Sequence, residues 1–379
     1  MKKVFFSFKN KVFFREFVKK YFFENYSLLW YNWRKGYILE NGQNKKSTYQ
    51  DIASDAGVSI ATISRVLTGT SRVKEKTRQK VLETMARHGY DVEEISANMM
   101  DKNSGIILFN LPSLENRFYS QIAQGAKAAA HRRGYQFLIN EDHINENTIS
   151  NILNLIETVN AAGIVIANHV PPALLTRLDS TRPLVQCCEY DMDLKVPYVS
   201  IDDIAATRTI MDYLLSLGRR RIAFINGPIR YKYARHRLQG YLDSLERAGI
   251  PQEPRFIIQL PDVTFDYAVS AVTQLLSSDT RPDAFFCASD VYAAAVIKSC
   301  GRMGFKVPRD IMVVGFDNIE IASMMNPTIT TVNQPRYQLG FSSCNLLIEL
   351  INNPKSNVRN ILLETELIVR ESTSLSNGD

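Results

Sequence analysis

From Gly105 onward, short apolar runs alternate with longer amphipathic stretches along the chain. A continuous apolar run is typical of a strand buried on both faces of a parallel sheet, and alternation with helices is typical of βαβ units. Nine runs fit this description: GIILFN, YQFLIN, GIVIAN, LVQCC, YVSI, RIAFIN, FIIQL, AFFCAS and MVVGF. The stretches between them predict helices at residues 119–133, 204–217, 234–248, 265–277 and 290–304.

This alternation predicts an α/β core of two doubly wound parallel-sheet lobes over residues 104–373, followed by a short tail at 374–379. A chain of 379 residues also exceeds the roughly 250–300 residues that one core usually reaches. Open α/β sheets collect ligands at the carboxyl ends of their strands. We therefore expect a ligand cleft between the two lobes.

The composition argues against several other classes of protein. With 45% hydrophobic and 22% charged residues, the chain is typical of a soluble globular protein. No apolar run approaches the ~20 residues that span a bilayer. The cysteines are odd in number and form no CxxC pair, so we expect a reducing cytoplasm, no disulfide scaffold and no metal site. They are Cys187, Cys188, Cys287, Cys300 and Cys344.

The first 46 residues differ from the rest of the chain. They contain eleven Lys or Arg against three Glu, a net charge of +8, so the other residues sum to −2 of the total +6. They also hold 14 of the 38 aromatic residues, interleaved with lysines. We interpret this segment as a poorly ordered basic extension without a selected role. The alternative is an amphipathic helix at a membrane surface, which would make the protein a membrane-associated regulator.

Residues 47–69 predict two short helices joined by a tight turn. Ser47 or Thr48 can cap the first helix. Gly57 stands where that helix must stop, since glycine accepts a positive φ at no steric cost. Ser59 can then cap a second helix. Together with residues up to 103, this segment forms a predicted N-terminal helical domain.

The apolar spacing makes the two helices a predicted helix-turn-helix. Ala53 is small where the helices approach each other, and Val58, Ile63 and Val66 supply the contacts behind them. The second helix would present its outward residues to a DNA major groove. These residues are Ile60, Ala61, Thr62, Ser64 and Arg65.

A basic segment distinguishes this motif from a generic helical hairpin. Only one acid, Glu75, accompanies its six basic residues, and such a segment suits phosphate contacts. A third helix over about residues 75–88 can pack through Val81, Leu82 and Met85. The six basic residues are Arg65, Arg72, Lys74, Lys76, Arg78 and Lys80.

The segment TYQDIASDAGVSIATISRVLTGTSRVKEKTRQKVLETMARHGY resembles the DNA-binding headpiece of the LacI/GalR family of bacterial repressors. The resemblance covers residues 47–373 through the later motifs RLQGY, ASDVYA, KVPRDIMVVGFDN and TTVNQPRYQLG. It implies a core like that of periplasmic sugar-binding proteins. It also implies a homodimer, or a higher oligomer, that binds a pseudo-palindromic operator in double-stranded DNA.

The resemblance also implies which residues contact DNA. Ile60 and Ala61 would occupy the first positions of the recognition helix and could contact only thymine methyl groups. Arg65, one turn later, could bind guanine O6 and N7. The expected DNA-binding residues are Thr48, Tyr49, Ser59, Ile60, Ala61, Thr62, Ser64, Arg65, Lys74 and Met99.

Met99 falls where the family has a hinge-helix leucine that enters the minor groove and kinks the DNA. The surrounding stretch, VEEISANMMDKNSG, departs from the family pattern: Val92 and Glu93 replace a proline–asparagine opening, and Ser96 and Ala97 replace an alanine–arginine pair.

Family effectors are small polar molecules held between the lobes, and seven residues fall at the implied effector positions. Phe118 and Tyr119 could stack on a flat ring or simply pack within a lobe. Arg237 could bind hydroxyl or carbonyl oxygens, or form an ion pair across the cleft. We expect Asp290 to cap a helix. The effector residues are Phe118, Tyr119, Glu189, Asp202, Arg237, Ser289 and Asp317.

The segments EYDMDLKVPYVSIDD, HRLQGY and ELIVREST are most similar to the cytidine regulators of the family, so the effector is expected to be a nucleoside or a sugar. No GxGxxG, P-loop, HExxH or GxSxG motif is present. We accordingly expect no catalytic residues, no cofactor and no membrane partner. A solute-binding transport protein of the same fold is the alternative, but it would lack the helix-turn-helix.

Overall fold

The computed structural model describes residues 48–68, 73–90, 105–354 and 360–374. Internal contacts divide the chain into two units, Met1–Asp101 and Lys102–Asp379. The predicted basic extension and the hinge stretch with Met99 lie outside the described residues.

The headpiece contains three helices, α1 (Tyr49–Ala56), α2 (Ile60–Thr68) and α3 (Glu75–Arg87). Thr48 caps α1 as predicted, because its hydroxyl accepts the N–H of Asp51 and the Asp51 carboxylate accepts the N–H of Thr48.

The turn after α1 is the one that its glycine predicts. Gly57 has φ 62° and ψ 39°, the left-handed conformation that ends a helix. Ser59 then caps α2, since its hydroxyl accepts the N–H of Thr62 at 3.1 Å.

One small apolar core holds the three helices together. Its members come from all three helices, at the positions where the helical period of the sequence puts apolar side chains. The predicted helix-turn-helix is therefore present. The core residues are Ile52, Ala53, Ala56, Ile63, Val66, Val81 and Met85.

The N-terminal lobe of the core is a six-stranded parallel sheet in the order β11-β5-β4-β3-β1-β2 with helices packed against it. Its elements are β1 (Ile106–Leu111), α4 (Phe118–Arg132), β2 (Gln136–Glu141), α5 (Ile149–Thr158), β3 (Gly163–Ile166), α6 (Pro172–Asp179), β4 (Leu184–Cys187), β5 (Tyr198–Ile201), α12 (Arg336–Asn352) and β11 (Ile361–Leu363).

The C-terminal lobe repeats this plan in the order β12-β10-β9-β8-β6-β7, with β12 antiparallel to β10. Its elements are α7 (Asp203–Ser216), β6 (Ile222–Asn226), α8 (Lys232–Arg247), a 3-10 turn (Pro254–Phe256), β7 (Ile257–Gln259), α9 (Phe265–Leu276), β8 (Ala284–Cys287), α10 (Asp290–Arg302), β9 (Met312–Asp317), α11 (Ile321–Met324), β10 (Thr330–Asn333) and β12 (Glu366–Ile368).

All nine predicted strands are present, and the five predicted core helices begin and end within two residues of their predicted bounds. The prediction of two doubly wound lobes is confirmed. The three short strands β10, β11 and β12 were not predicted.

Within the described core, the chain passes between the lobes three times: from β5 to α7, from β10 to α12, and from β11 to β12. Each passage lies at one end of a sheet, where a few connecting residues can absorb a rotation of one lobe against the other. The carboxyl ends of β4, β5 and β9 consequently face a common cleft.

Close packing of α4 on α12 sets the position of one wall of this cleft. A side chain at Gly125 would overlap the carbonyl of Tyr337, and one at Gly340 would overlap the carbonyl of Ile122. The two helices therefore meet backbone to backbone, which fixes where α4 begins.

Candidate functional site

The outward face of α2 carries the side chains predicted to contact DNA. Ile60 is 46% exposed, although it is a large apolar residue, and Ala61 and Arg65 are also exposed. The opposite face is buried through Ile63 and Val66. Ile60 and Arg65 are of the apolar and bidentate polar types that can contact base edges.

Several of the other predicted DNA-binding side chains already have partners within the headpiece. The hydroxyl of Thr48 lies 2.7 Å from the Asp51 carboxylate, and this contact lowers the pKa of Asp51. The hydroxyls of Ser59 and Thr62 are hydrogen-bonded to each other at 2.9 Å. These groups position the helices in addition to any phosphate contact they make.

Of the four remaining predicted DNA-binding residues, the structure describes the side chains of two. Tyr49 stacks on Tyr90 with ring centroids 5.8 Å apart. Lys74 is exposed immediately before α3, as a phosphate contact requires. The Ser64 side chain and Met99 lie outside what the structure describes.

A cavity between the two lobes collects six of the seven predicted effector residues. It holds about 520 Å³ of space, part of which is open to solvent. The predicted residues that line it are Phe118, Tyr119, Glu189, Arg237, Ser289 and Asp317.

The seventh predicted residue, Asp202, requires a correction. Asp202 is exposed and caps α7, where its carboxylate accepts the N–H of Ala205 at 3.0 Å. The carboxylate that lines the cavity belongs to its neighbour Asp203, which is buried. Consecutive residues at a helix start point in different directions, so a shift of one position moves a carboxylate from the cavity to solvent.

Arg237 forms an ion pair, which was the predicted alternative to effector binding. Its partner, however, lies in the same lobe rather than across the cleft. Its Nε donates to Asp203 Oδ1 at 2.8 Å, and one terminal nitrogen donates to the carbonyl of Ala288 at 2.7 Å. Its guanidinium also lies 3.4 Å from the ring centre of Phe316. The guanidinium is thereby held rigidly at the cavity wall, while Asp317 Oδ1 lies 3.8 Å away.

Asp317 ends β9 in a left-handed conformation, with φ 100°, and its carboxylate faces the cavity. It accepts a hydrogen bond from Gln334 Nε2 at 2.7 Å. Burial raises the pKa of Asp317 to about 6, despite the opposing effect of Arg237. This carboxylate is a ready acceptor for ligand hydroxyl groups.

The prediction that Asp290 caps a helix is wrong. Ser289 caps α10, since its hydroxyl accepts the N–H of Val291 at 3.1 Å. Asp290 is fully buried and instead accepts the N–H of Ile319 at 2.8 Å and the hydroxyl of Thr331 at 2.6 Å. Burial raises the pKa of Asp290 to about 8.

Glu189 and Lys232 join the two lobes, and sequence reasoning missed Lys232. Glu189, which follows β4 in the N-terminal lobe, accepts the N–H of Lys232 at 2.6 Å and that of Tyr233 at 3.2 Å, both in the first turn of α8. The Lys232 ammonium donates to Asp203 at 2.6 Å and to Ser200 of the N-terminal lobe at 3.0 Å. The only signal in the sequence was the basic run RYKYARHR.

In the buried cluster of Lys232, Asp203 and Glu189, opposite charges offset the effect of burial on the pKa values. Burial alone would lower the pKa of Lys232, but Asp203 and Glu189 raise it. Burial raises the pKa of Glu189, an effect that Lys232 opposes. The Lys232 ammonium also lies 4.6 Å from the ring centre of Tyr190. Next to it, His236 is half-buried against Tyr190.

Aromatic rings form another part of the cavity wall. Phe118 and Tyr119 make an edge-to-face pair with centroids 5.2 Å apart. Tyr233, which was not predicted, faces the same cavity from α8. Within the described residues there is no cluster of three potential metal ligands, and no described helix is long and apolar enough to cross a bilayer.

A helix-turn-helix headpiece, together with a two-lobed core that encloses a polar and aromatic cavity, defines the class of ligand-regulated DNA-binding proteins. Residues 48–92 match the family of bacterial regulatory proteins of the lacI type, and residues 211–373 match the periplasmic binding protein-like domain. The chain belongs to the LacI family of transcriptional regulators.

The similarity to individual members extends over nearly their whole length. The repressor CytR of Escherichia coli K12 is 33% identical over 87% of this chain and 97% of its own. A regulator CelR, solved as a cellobiose complex, is 29% identical with a TM-score of 0.66 over 86% of this chain and 99% of its own. The lac repressor dimer, solved with operator and the anti-inducer ONPF, is 27% identical with a TM-score of 0.65 over 87% and 99%.

Proposed function

We propose that this protein is a homodimeric repressor that binds a pseudo-palindromic operator, and that a nucleoside in the cavity between its lobes controls its operator affinity. One observation carries the choice of effector: aromatic rings and hydroxyl-binding groups line the same cavity. Phe118, Tyr119 and Tyr233 offer faces and edges to a base. Arg237 and Asp317 offer a donor and an acceptor to ribose hydroxyls.

The resemblance of the segments EYDMDLKVPYVSIDD and HRLQGY to the cytidine regulators, together with the 33% identity to CytR, supports a nucleoside. A free sugar is the second candidate, because aromatic rings also pack on the faces of sugar rings and the same charged pair can bind their hydroxyls. The CelR structure with cellobiose shows that a relative holds a sugar. The basic run GPIRYKYARHR, which leads into α8 and forms its first turns, is also bulkier than a nucleoside requires.

Control of DNA binding requires the lobes to move when the effector binds. The free energy of effector binding must differ between the operator-bound protein and the free protein, typically by about 1–3 kcal/mol. The Glu189 and Lys232 contacts between the lobes are the groups whose geometry such a movement would change. The protein would act in the cytoplasm, where operator and nucleoside meet.

Calorimetry tests the effector directly. Wild-type protein, Asp317→Asn and Phe118→Ala are titrated with cytidine, adenosine, ribose, cellobiose and sucrose. Asp202→Asn is the matched control, since it changes a neighbouring carboxylate that caps α7 outside the cavity, and asparagine caps helices equally well.

We expect cytidine or adenosine to bind to wild type and to Asp202→Asn, with binding lost in Asp317→Asn and weakened in Phe118→Ala. Heat from cellobiose, sucrose or ribose without heat from either nucleoside would contradict the nucleoside proposal and favour the sugar.

A further inference from the structure

Two adjacent cysteines lie at the wall of the effector cavity, and the proposed function uses neither. Cys187 is the last residue of β4 and is fully buried, while Cys188 is partly exposed and lines the cavity. Their sulfur atoms are 3.7 Å apart. The other three cysteines are buried in the cores of the lobes and line no part of this cavity.

The backbone at this pair is strained. Cys188 has φ 69°, and the N–H of Glu189 donates to the carbonyl of Cys187 two residues earlier at 2.9 Å. A positive φ inside such a three-residue turn defines the rarer, strained form of the γ-turn. Strain of this kind persists only where the surroundings impose it, and it concentrates at functional sites.

The turn is directly connected to both contacts between the lobes. Glu189, the residue after Cys188, binds the first turn of α8. The carbonyl of Cys188 accepts the hydroxyl of Ser200 at 2.7 Å, and Ser200 accepts the ammonium of Lys232 at 3.0 Å. A change in the conformation of the Cys188 turn must therefore displace the groups that hold α8 against the N-terminal lobe.

We propose that Cys187 and Cys188 are a reversible redox site, in which an oxidant of the peroxide class converts the two thiols to a vicinal disulfide and thereby weakens the contact between the lobes. A disulfide needs its sulfurs about 2.05 Å apart, so the turn must rearrange when the bond forms. The consequence for effector binding rests on the proposed function. The oxidation itself and its effect on the contact between the lobes do not.

The reaction proceeds in two steps. The Cys188 sulfur attacks one peroxide oxygen, the O–O bond breaks, and the thiol proton leaves with the other oxygen as water, which gives a sulfenic acid on Cys188. The sulfur of Cys187 then displaces the sulfenic oxygen, which leaves as a second water with the Cys187 proton. Two thiols and one hydrogen peroxide become one disulfide and two waters.

Access to the cavity and the distance between the two sulfurs assign these roles. Cys188 is the sulfur that a molecule in the cavity can reach. The hydrogen bond with Cys187, together with burial, raises the pKa of Cys188, so its reaction with peroxide is slow; the Cys187 sulfur, 3.7 Å away, is placed to resolve the sulfenic acid.

Reduction restores the dithiol readily, because the geometry of adjacent residues disfavours the bond. Neighbouring Cα atoms are about 3.8 Å apart, whereas disulfides usually join Cα atoms about 4.4–6.8 Å apart. Strained disulfides are the more easily reduced ones, which is what a reversible signal in a reducing compartment needs.

The test uses the full chain, first reduced and then treated with hydrogen peroxide. Trypsin releases residues 178–195 as one peptide that contains Cys187 and Cys188 and no other cysteine. We expect this peptide to lose two hydrogens, to resist alkylation, and to regain both properties after dithiothreitol. Cys188→Ser should abolish the change, whereas Cys300→Ala, which removes a buried cysteine of α10, should leave it intact.

Hydrogen exchange then measures the contact between the lobes without any effector. The amides of Lys232 and Tyr233, which donate to Glu189, should exchange about fivefold faster or more in the oxidised protein and be unchanged in peroxide-treated Cys188→Ser. Oxygen addition without a disulfide, or a disulfide with unchanged exchange at both amides, would overturn the proposal. Failure of cytidine to bind reduced protein would count against the proposed function alone.

Discussion

Glu189 of the N-terminal lobe caps a helix of the C-terminal lobe, since its carboxylate accepts the N–H of Lys232 at 2.6 Å. A carboxylate at a helix N-terminus interacts favourably with the helix dipole and satisfies N–H groups that have no partner within the helix. A local capping interaction thus becomes a contact between lobes. Glu189 and Ser200, the N-terminal-lobe partners in the contact, also line the effector cavity.

We predict that Glu189→Ala lowers the free energy of unfolding by about 1–2 kcal/mol, the usual value of a lost helix cap. Urea denaturation measures this change. Glu246→Ala is the control, because Glu246 is exposed near the other end of the same helix and should cost less than about 0.5 kcal/mol. Equal costs for the two variants would mean that the contact between the lobes contributes nothing.

Arg65→Ala should weaken operator binding by about 1–3 kcal/mol and relax the preference at one base pair of each half-site. Lys74→Ala, which removes an exposed charge beside α3, should instead weaken all sequences alike and reduce the slope of log affinity against log salt by about 1. Fluorescence anisotropy on a set of operator variants distinguishes the two. An unchanged ranking of the variants in Arg65→Ala would show that α2 is not the reading helix.

Deletion of residues 1–46 should leave operator affinity and core stability nearly unchanged. The helix-turn-helix and both lobes lie within residues 48–374, so the deletion removes none of the residues that form them. Anisotropy at physiological salt and thermal unfolding of the full and shortened chains make the comparison. A large loss of specific binding would assign the basic aromatic segment to the DNA interface, and recovery of the full chain with membranes would support the membrane-associated alternative.

Stability should fall as the pH rises, because of Asp290. Its pKa is raised from 3.8 to about 8 in the folded protein, so between those values the folded state binds more protons than the unfolded state. Linkage then makes the free energy of unfolding decrease with pH across this window, by up to about 1.4 kcal/mol per pH unit. In Asp290→Asn the amide oxygen can accept the Ile319 N–H and the amide nitrogen can donate to the Thr331 hydroxyl, so the uncharged variant should flatten this dependence.

Urea denaturation of wild type and Asp290→Asn at several pH values between about 5 and 8 checks the sign. Asp317, whose pKa is raised to about 6, adds a smaller loss of the same sign that ends near its own pKa. Asp202→Asn serves as the exposed control. Parallel pH profiles for wild type and Asp290→Asn would contradict the assignment.

Much of the architecture follows from local sequence. Continuous apolar runs mark all nine predicted strands; seven of them are buried on both faces, whereas β2 and β7 are edge strands with exposed residues. The structure of the headpiece depends even more strongly on local sequence. Thr48, Gly57 and Ser59 each act on their immediate neighbours, so residue type and spacing alone predict both helix starts and the turn between them.

Tertiary structure decided which of two adjacent residues has a given role and which distant segments pair with each other. Asp202 and Asp203 are adjacent, and only the orientation of α7 shows that the second faces the cavity. In the same way, Ser289 rather than Asp290 caps α10, while Asp290 is buried against Ile319 and Thr331. The short strands β10 to β12 form at lobe connections, where pairing depends on distant partners rather than on apolar runs.

The sequence by itself determined the elements, their order and the class of protein, since caps, turns and buried strands depend on residues close together in the chain. The buried cluster around Lys232 was decided only by the fold. Its partners Ser200 and Asp203 are about thirty residues away in sequence, and Glu189 is 43 away. Contacts between side chains from different lobes exist only once both sheets have formed and face each other, so no local pattern can encode them.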